Sequence, residues 1–261
     1  VTTLPTPTYP TGHGLLDDRV VVVTAAAGTG IGSATARRCA EEGAQVVVSD
    51  RHERRLQETA EQLTEAVGRP VLAVPCDVTV ESEVQALYAA AVDRFGRLDV
   101  AVHNAGLGGN VPLCDMTDEQ WATVLDVTLT GTFRCTRAAL RTMRAGGGGV
   151  VVNNASVLGW RAQPGQAHYA AAKAGVMALT RCAAAEGVAY GVRVNAVAPS
   201  LAMHPFLNRI VGDDELAALE RAELSGRSAQ PWEVANTIVF LASDLSSYLT
   251  GEVVAVSSQH P

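Results

Sequence analysis

Short apolar runs alternate along this chain with longer stretches whose apolar positions recur at helical spacing. Val20-Val21-Val22-Val23-Thr24 is too apolar to face water on either side and predicts a buried strand over 20–24. A helix follows over 31–42, closed by Gly43, then a strand over 45–50 and a helix over 52–67. The pattern continues with a strand over 71–75, a helix over 81–95 stopped by Gly96, and a strand over 98–103. A long helix is predicted over 117–144, with Thr117-x-x-Gln120 as its capping box. Glycines at 147–149 precede a strand over 150–153; a helix over 166–190 ends at Gly191, and a strand spans 193–197. Residues 200–230 read as irregular, with a helical piece over 213–224. Pro231 suits the first helical position and opens a helix to about 242, and the last strand is 253–256. Repeated strand–helix–strand units with strands this apolar imply an α/β fold: a parallel sheet covered on both faces. No linker or shift in composition divides the chain, so residues 15–261 read as one domain behind an arm over 1–14.

Composition narrows the class. The 261 residues carry a formal net charge of −7 and no basic stripe, only Arg51, Arg54 and Arg55 together, which argues against nucleic acid as partner. Five cysteines (39, 76, 114, 135 and 182) form no C-x-x-C pair and are odd in number, so reduced thiols in a cytoplasmic protein are expected, with no disulfide or metal framework. Cys39, Cys135 and Cys182 fall in predicted helices, where a small core residue is expected. The opening VTTLPTPTYPTGHG has neither a charged nor an apolar region of the kind a secretion signal needs, and is read as a flexible arm. No apolar run reaches membrane-spanning length, so no membrane association is expected.

Candidate chemistry begins at the turn Ala25-Ala26-Ala27-Gly28-Thr29-Gly30-Ile31-Gly32, between the first strand and first helix. Bare backbone at a helix N-terminus can approach a pyrophosphate, with N–H groups and helix dipole favouring the negative charge. Gly28, Thr29, Gly30, Ile31 and Gly32 are therefore candidate dinucleotide contacts. The plainer reading is a tight strand-to-helix turn. Asp50 ends the second strand, 22 residues after Gly28. A carboxylate there can accept both ribose hydroxyls and repels a 2′-phosphate, favouring NAD over NADP. Arg51 beside it could pair with that phosphate, and Asp50 could equally cap the next helix. Asp77-Val78, just past the third strand, stand where an adenine would lie, or serve as a turn.

Ser156, Tyr169 and Lys173 are spaced thirteen and four residues apart. Residues i and i+4 share a helix face. An ammonium ~5 Å from a phenol at an effective dielectric of ~20 favours the phenolate by roughly 3 kcal/mol, or ~2 pKa units. Tyr169 then becomes a usable acid/base, with Lys173 lowering its pKa and Ser156 holding a substrate oxygen. Taken alone, a Tyr-x-x-x-Lys pair is more often a solvated surface pair.

The glycine turn, Asp77-Val78, Asn104-Ala105-Gly106, Ser156, Tyr169-Ala-Ala-Ala-Lys173 and Asn195-Ala-Val-Ala-Pro199 occur in order over residues 18–256. Together they resemble the short-chain dehydrogenase/reductase family. The resemblance implies a Rossmann-type doubly wound sheet of seven parallel strands in order 3-2-1-4-5-6-7, and a homotetramer or dimer built on the two long helices. It implies that Tyr169 is the acid/base, that Lys173 also binds the nicotinamide ribose, and that Asn104, Ala105, Gly106 and Pro199 line the cofactor cleft. Three departures stand out. The family's T-G-x-x-x-G-x-G either has alanines at its first two positions (Ala25, Ala26) or is one residue longer, starting at Thr24. The family's helix asparagine, which helps hold a relay water behind the lysine, is Thr128, equally readable as a packing residue. The Pro-Gly after the sixth strand is Pro199-Ser200, and the threonine that follows in the family is replaced by His204. The strings VVVTAAAGTGIGSATARR, NNASVLGWRAQ and YLTGEVVAVSSQ resemble an actinobacterial branch that includes a dehydrogenase of steroid-ring breakdown acting on a bicyclic CoA thioester.

On the substrate side, Leu158, Trp160, Leu201, Met203, Phe206, Leu207 and Ile210 are expected around the reacting carbon, with residues 200–225 as a mobile lid. The same residues could simply pack that segment on the core. Arg161 and Arg209 could meet an acidic group of a CoA thioester, or only solvent. The expectation is an NAD-dependent oxidoreductase interconverting a secondary alcohol and a ketone on a hydrophobic substrate. The alternatives are an NADPH-dependent 3-oxoacyl thioester reductase and, in another class, a non-catalytic dinucleotide sensor or scaffold.

Overall fold

The computed structural model describes residues 3–203 and 213–259. Seven strands form one sheet: β1 Val20–Thr24, β2 Gln45–Asp50, β3 Leu72–Pro75, β4 Val100–His103, β5 Gly149–Asn154, β6 Val192–Pro199 and β7 Val253–Val256. All neighbours are parallel and their order is β3-β2-β1-β4-β5-β6-β7, as expected. The helices are α1 Ile31–Glu41, α2 Glu53–Val67, α3 Glu81–Phe95, α4 Asp118–Leu125, α5 Gly131–Gly146, α6 Ala167–Gly187, α7 Asp213–Ala222 and α8 Pro231–Ala242.

Strand alternation builds two cores. Val21 and Val23 of β1 point to one face, where they pack with α1, α2 and α8 residues such as Cys39, Leu56 and Ile238. Val22 points to the other, against Leu87 of α3, Met143 of α5 and Ala184 of α6. A sheet buried on both sides needs apolar residues at successive positions, which is why the valine runs do not alternate with polar residues.

Two elements differ from the sequence expectation. The long helix over 117–144 is interrupted by a π-turn at Asp126–Thr130, which splits it into α4 and α5. Capping by Thr117 and Gln120 is present at its start. Cys182 is exposed on α6 and does not serve as a core residue, whereas Cys39 and Cys135 are buried. A 21-residue helix has a solvent face, and position 182 lies on it.

Residues 3–14 form no helix or strand and run over α1 and α8. Tyr9 donates to Glu41 at 2.8 Å and meets the Trp232 ring edge-on at 5.4 Å. Pro10 accepts from the buried Arg38 at 3.3 Å. Leu4 donates to the Ser225 carbonyl at 2.9 Å and accepts from Arg227 at 3.1 Å.

The strand order reverses between β1 and β4, so the crevice at the carboxyl ends of these strands is the natural ligand site of such a sheet. Thr24, Asp50, Asn104, Ser156 and Pro199 all lie at or just past carboxyl ends. Among the described residues, no helix is long and apolar enough to cross a membrane.

Candidate active site

The glycine turn leaves β1 with Thr24 turned toward the neighbouring strand. Its hydroxyl oxygen accepts from the backbone N–H of Asn104 at 3.0 Å and of Ala105 at 3.3 Å. Ala25 follows with φ 50°, a left-handed conformation that normally belongs to glycine. The turn thus begins directly after Thr24, the last residue of β1. Gly28 has φ 95°, and a side chain at Gly28 or Gly30 would project into empty space. Gly30 caps α1 without a side-chain bond, and the first turn carries no acidic residue. Gly32 is the opposite case: a Cβ there would lie 2.2 Å from the Ala25 carbonyl oxygen and 2.6 Å from Asn104 Nδ2. An uncapped helix N-terminus under an open, glycine-walled space fits a dinucleotide pyrophosphate. Thr29 is exposed and Ile31 partly exposed at the same edge.

At the end of β2, the Asp50 carboxylate accepts from Ala27 N–H at 3.4 Å and from His52 N–H at 3.0 Å. It thus braces the glycine turn and the approach to α2, whose N-cap is His52 itself. Arg51 is exposed. Asp77 is held below the ordinary carboxylate range; hydrogen bonds from the Thr79 backbone and hydroxyl, with Arg51 and Arg134 nearby, outweigh its partial burial. Asp77 thus anchors the turn after β3. Val78 is buried and packs against Gly131, where a Cβ would come within 2.7 Å of it.

The catalytic candidates converge. Ser156 follows β5, is buried, and its oxygen accepts from Leu158 N–H at 3.2 Å. Its side chain lies toward the phenol of Tyr169, which stands on the first turn of α6. Lys173, one turn later, is 2% exposed; its ammonium lies 5.5 Å from the centre of the Tyr169 ring and donates to the Asn154 carbonyl. Gly106 leaves room for that ammonium, since a Cβ there would touch it at 3.4 Å. Gly108 likewise lies against the tyrosine ring.

The electrostatics correct one expectation. Burial raises the Tyr169 pKa and only the Ser156 hydrogen bond lowers it, so without ligand the phenol is not acidified. Burial also lowers Lys173 to about 8. The pair expected to favour the phenolate is desolvated, and removal from water opposes charge on both groups.

Thr128 sits in the π-turn and is fully buried. Its hydroxyl accepts from Leu107 N–H at 2.9 Å and donates to Leu107 O at 3.0 Å. It pins the loop after Gly106 through both bonds. Ala105 is partly buried. Pro199 is buried at the end of β6, paired with Val256. His204, Phe206, Leu207, Arg209 and Ile210 lie outside the described residues. Leu158 is half-buried and Trp160 is exposed.

Asn154 was not singled out from sequence. Its side-chain amide donates to Asn104 Oδ1 at 2.8 Å, and Asn104 in turn donates to the Ala25 carbonyl at 3.1 Å. This ladder locks the glycine turn to the lysine's acceptor. An asparagine pair closing an otherwise valine-rich strand was the available signal. His103 was missed as well. It is fully buried between Tyr88 and Asn153, both at 2.8 Å, and burial pushes its pKa down to about 4. Asn153 continues to Thr180, so this buried row couples the sheet to α6.

A family model described as enoyl-(acyl carrier protein) reductase matches residues 25–258. With the fold and the Ser156–Tyr169–Lys173 arrangement, this shows that the chain belongs to the short-chain dehydrogenase/reductase family. It is an oxidoreductase, and its family uses a nicotinamide dinucleotide, NAD(H) or NADP(H). The chain is 65% identical over 252 residues, covering 96% of both chains, to the (5R,7aS)-5-hydroxy-7a-methyl-1-oxo-2,3,5,6,7,7a-hexahydro-1H-indene-carboxyl-CoA reductase of Mycobacterium tuberculosis. It is 45% identical to the cis-4-hydroxycyclohexanecarboxylate dehydrogenase of Sinomonas cyclohexanicum, over 92% of this chain and 95% of that one. A crystal structure of a short chain dehydrogenase from Mycobacterium smegmatis superposes with a TM-score of 0.88 at 59% identity, covering 98% and 99% of the two chains.

Proposed function

We propose that this chain is an NAD-dependent dehydrogenase/reductase that interconverts a secondary alcohol and a ketone on a bulky bicyclic CoA thioester. The observation that carries the chemistry is the Ser156–Tyr169–Lys173 cluster at the carboxyl edge of the sheet, beside the open glycine turn. The substrate class rests on the 65% identity to the mycobacterial indene-carboxyl-CoA reductase. The 3-oxoacyl carrier-protein reductase of Thermotoga maritima is a more distant relative, at 38% identity.

In this reading Ser156 holds the substrate oxygen and Tyr169 exchanges a proton with it. A raised Tyr169 pKa keeps the phenol protonated before reaction, ready to donate to the oxygen as a ketone is reduced. Lys173, cationic near neutrality, stabilises the phenolate left behind. Gly28, Thr29, Gly30, Ile31 and Gly32 would hold the pyrophosphate. Asp50 would take the adenosine ribose, with Arg51 at its rim and Asp77 and Val78 beside the adenine. Asn104, Ala105, Gly106, Lys173 and Pro199 would line the nicotinamide end. Bound nicotinamide supplies or accepts a hydride and, when oxidised, adds a positive charge that favours the phenolate.

Tyr169→Phe should lower kcat by orders of magnitude while NADH binding, read by nicotinamide fluorescence, stays within a few-fold of wild type. Near-normal turnover in that variant sinks the assignment. Asp50 favours NADH over NADPH, and Asp50→Ala should narrow the ratio of the two dissociation constants. The same reading places the enzyme in the cytoplasm as a homotetramer or dimer on α4 to α6, where Trp121 and Phe133 stay exposed. A monomeric mass by light scattering would remove that part.

A further inference from the structure

A cavity of about 810 Å³ opens between the loop after β4 and the loop joining β5 to α6, walled by Asn110, Pro112, Leu113, Arg161, Gln163 and Ala170. Its volume lies within the roughly 300–1,000 Å³ of small-molecule sites. Ser156, Tyr169 and Lys173 do not line it, but two of its walls belong to segments that carry or touch Tyr169. Ala170 is the neighbour of Tyr169, and the loop that forms one wall begins at Gly108, against the tyrosine ring.

The walls are built, not merely apposed. Val111 N–H donates to the Gly165 carbonyl at 3.0 Å and stitches the two loops together. Gly165 has φ 76°, and a Cβ on it would overlap Asn110 Oδ1, so only glycine fits there. Thr128 fastens the root of the first loop through Leu107. Arg161 in the second wall is aimed by its surroundings. It donates to Gln259 Oε1 at 2.6 Å; Gln259 donates from Nε2 to the buried Glu223 at 3.0 Å, and Ser258 holds the other Glu223 oxygen at 2.7 Å. Leu113 stands 68% exposed at the rim.

We infer that this cavity seats the pantetheine arm of the CoA thioester, with Leu113 and Pro112 against its methylenes and the guanidinium of Arg161 donating to one of its amide carbonyls. The inference rests on the CoA-thioester reading above. The arm is a long, uncharged chain of methylenes with two amides, ending in a hydroxyl-bearing carbon and a gem-dimethyl carbon. It requires a largely apolar slot with one or two fixed polar groups, open at its far end so that the phosphates remain in water. The wide mouth, apolar rim and single braced cation match that pattern. Gln259 is then a positioning residue that acts through Arg161.

The test compares one acyl group on two carriers: the bicyclic hydroxy-methyl-oxo-indene acid as its CoA thioester and as its N-acetylcysteamine thioester, which lacks most of the arm. Ala162→Trp, at an exposed position of the cavity wall, should raise KM for the CoA thioester roughly tenfold and leave KM for the short thioester within about twofold, with kcat for both unchanged. Arg161→Met and Gln259→Leu should raise KM for the CoA thioester alone, and by similar factors. Free coenzyme A should inhibit wild type competitively and the Ala162→Trp variant weakly. Equal effects on both thioesters, or none on either, overturn the placement of the arm. Turnover of neither thioester by wild type, with turnover of a non-thioester alcohol, overturns the substrate reading itself.

Discussion

Lys173 is a cation held out of water with no ion-pair partner among the described residues, and that has a measurable cost. Its side chain is 2% exposed, it donates to a single carbonyl, and burial lowers its pKa to about 8. An unfolded lysine titrates near 10.4, so the difference is worth about 3 kcal/mol at ~1.4 kcal/mol per unit. The sign follows from proton binding: between pH 8 and 10.5 the unfolded chain binds the extra proton, so this group makes the fold more stable as pH rises through that window. Below pH 8 the lysine is charged in both states and the full cost applies. Buried Cys39 and Cys76, pushed up to about 12, act in the opposite direction over the same range. The measurement must therefore be a difference. Lys173→Met keeps most of the length of the side chain and removes the charge. The stability of wild type minus that of the variant, from urea unfolding or melting curves at a series of pH values, should increase by about 3 kcal/mol from pH 7.5 to 10.5. For a chain of this size that corresponds to roughly 6–12 °C in relative melting temperature. Parallel curves for the two proteins across this window would show that the ammonium is already neutralised or hydrated in the fold, and the reasoning would fail.

Three further outcomes follow from the geometry. His103 is buried neutral, with its pKa lowered to about 4, so stability is complete above pH 6.5 and falls by about 3 kcal/mol as pH drops to 4; His103→Gln should lack that slope in acid unfolding curves, and an equal slope in both proteins would contradict it. Ala25 has φ 50°, so Ala25→Gly should raise stability by about 0.5–1 kcal/mol in thermal melts with NADH affinity kept; a loss would show that the alanine is not strained. Gly32→Ala would drive a methyl into the Ala25 carbonyl, so NADH affinity by fluorescence titration should fall at least roughly tenfold; unchanged binding would mean that the turn can open without consequence.

The fold was legible because its strongest signals are local. Valine runs set the strands, and glycines at 43, 68 and 96 end or follow helices with left-handed φ. The site's members were legible for the same reason, being short motifs at carboxyl ends of strands. Their electrostatics were not. Helical spacing places Lys173 beside Tyr169 but says nothing of the desolvation that raises the phenol and lowers the amine, because burial is set by Gly106, Gly108 and Asn154 from other elements. The π-turn was hidden too, since one extra residue in a helical turn leaves the apolar pattern of 117–144 nearly intact.

Thr128 shows how that hidden turn reaches the chemistry. In the family pattern an asparagine at this position faces the lysine's relay water; here the π-turn carries a threonine whose single hydroxyl is occupied on both sides by Leu107. A residue that fastens Leu107 fixes where the following loop leaves the sheet, and that loop supplies Gly108 against Tyr169 and then Asn110 to Leu113 along the cavity. The lysine is held from β5, where Asn154 offers its carbonyl to Lys173 and its amide to Asn104. The helix thus holds the loop after β4, and the strand holds the cation. Thr128→Val should accordingly disturb substrate KM more than NADH binding, whereas Asn154→Leu, which unties the Asn104 ladder, should weaken NADH binding first. The reverse order in paired KM and fluorescence measurements would break this assignment.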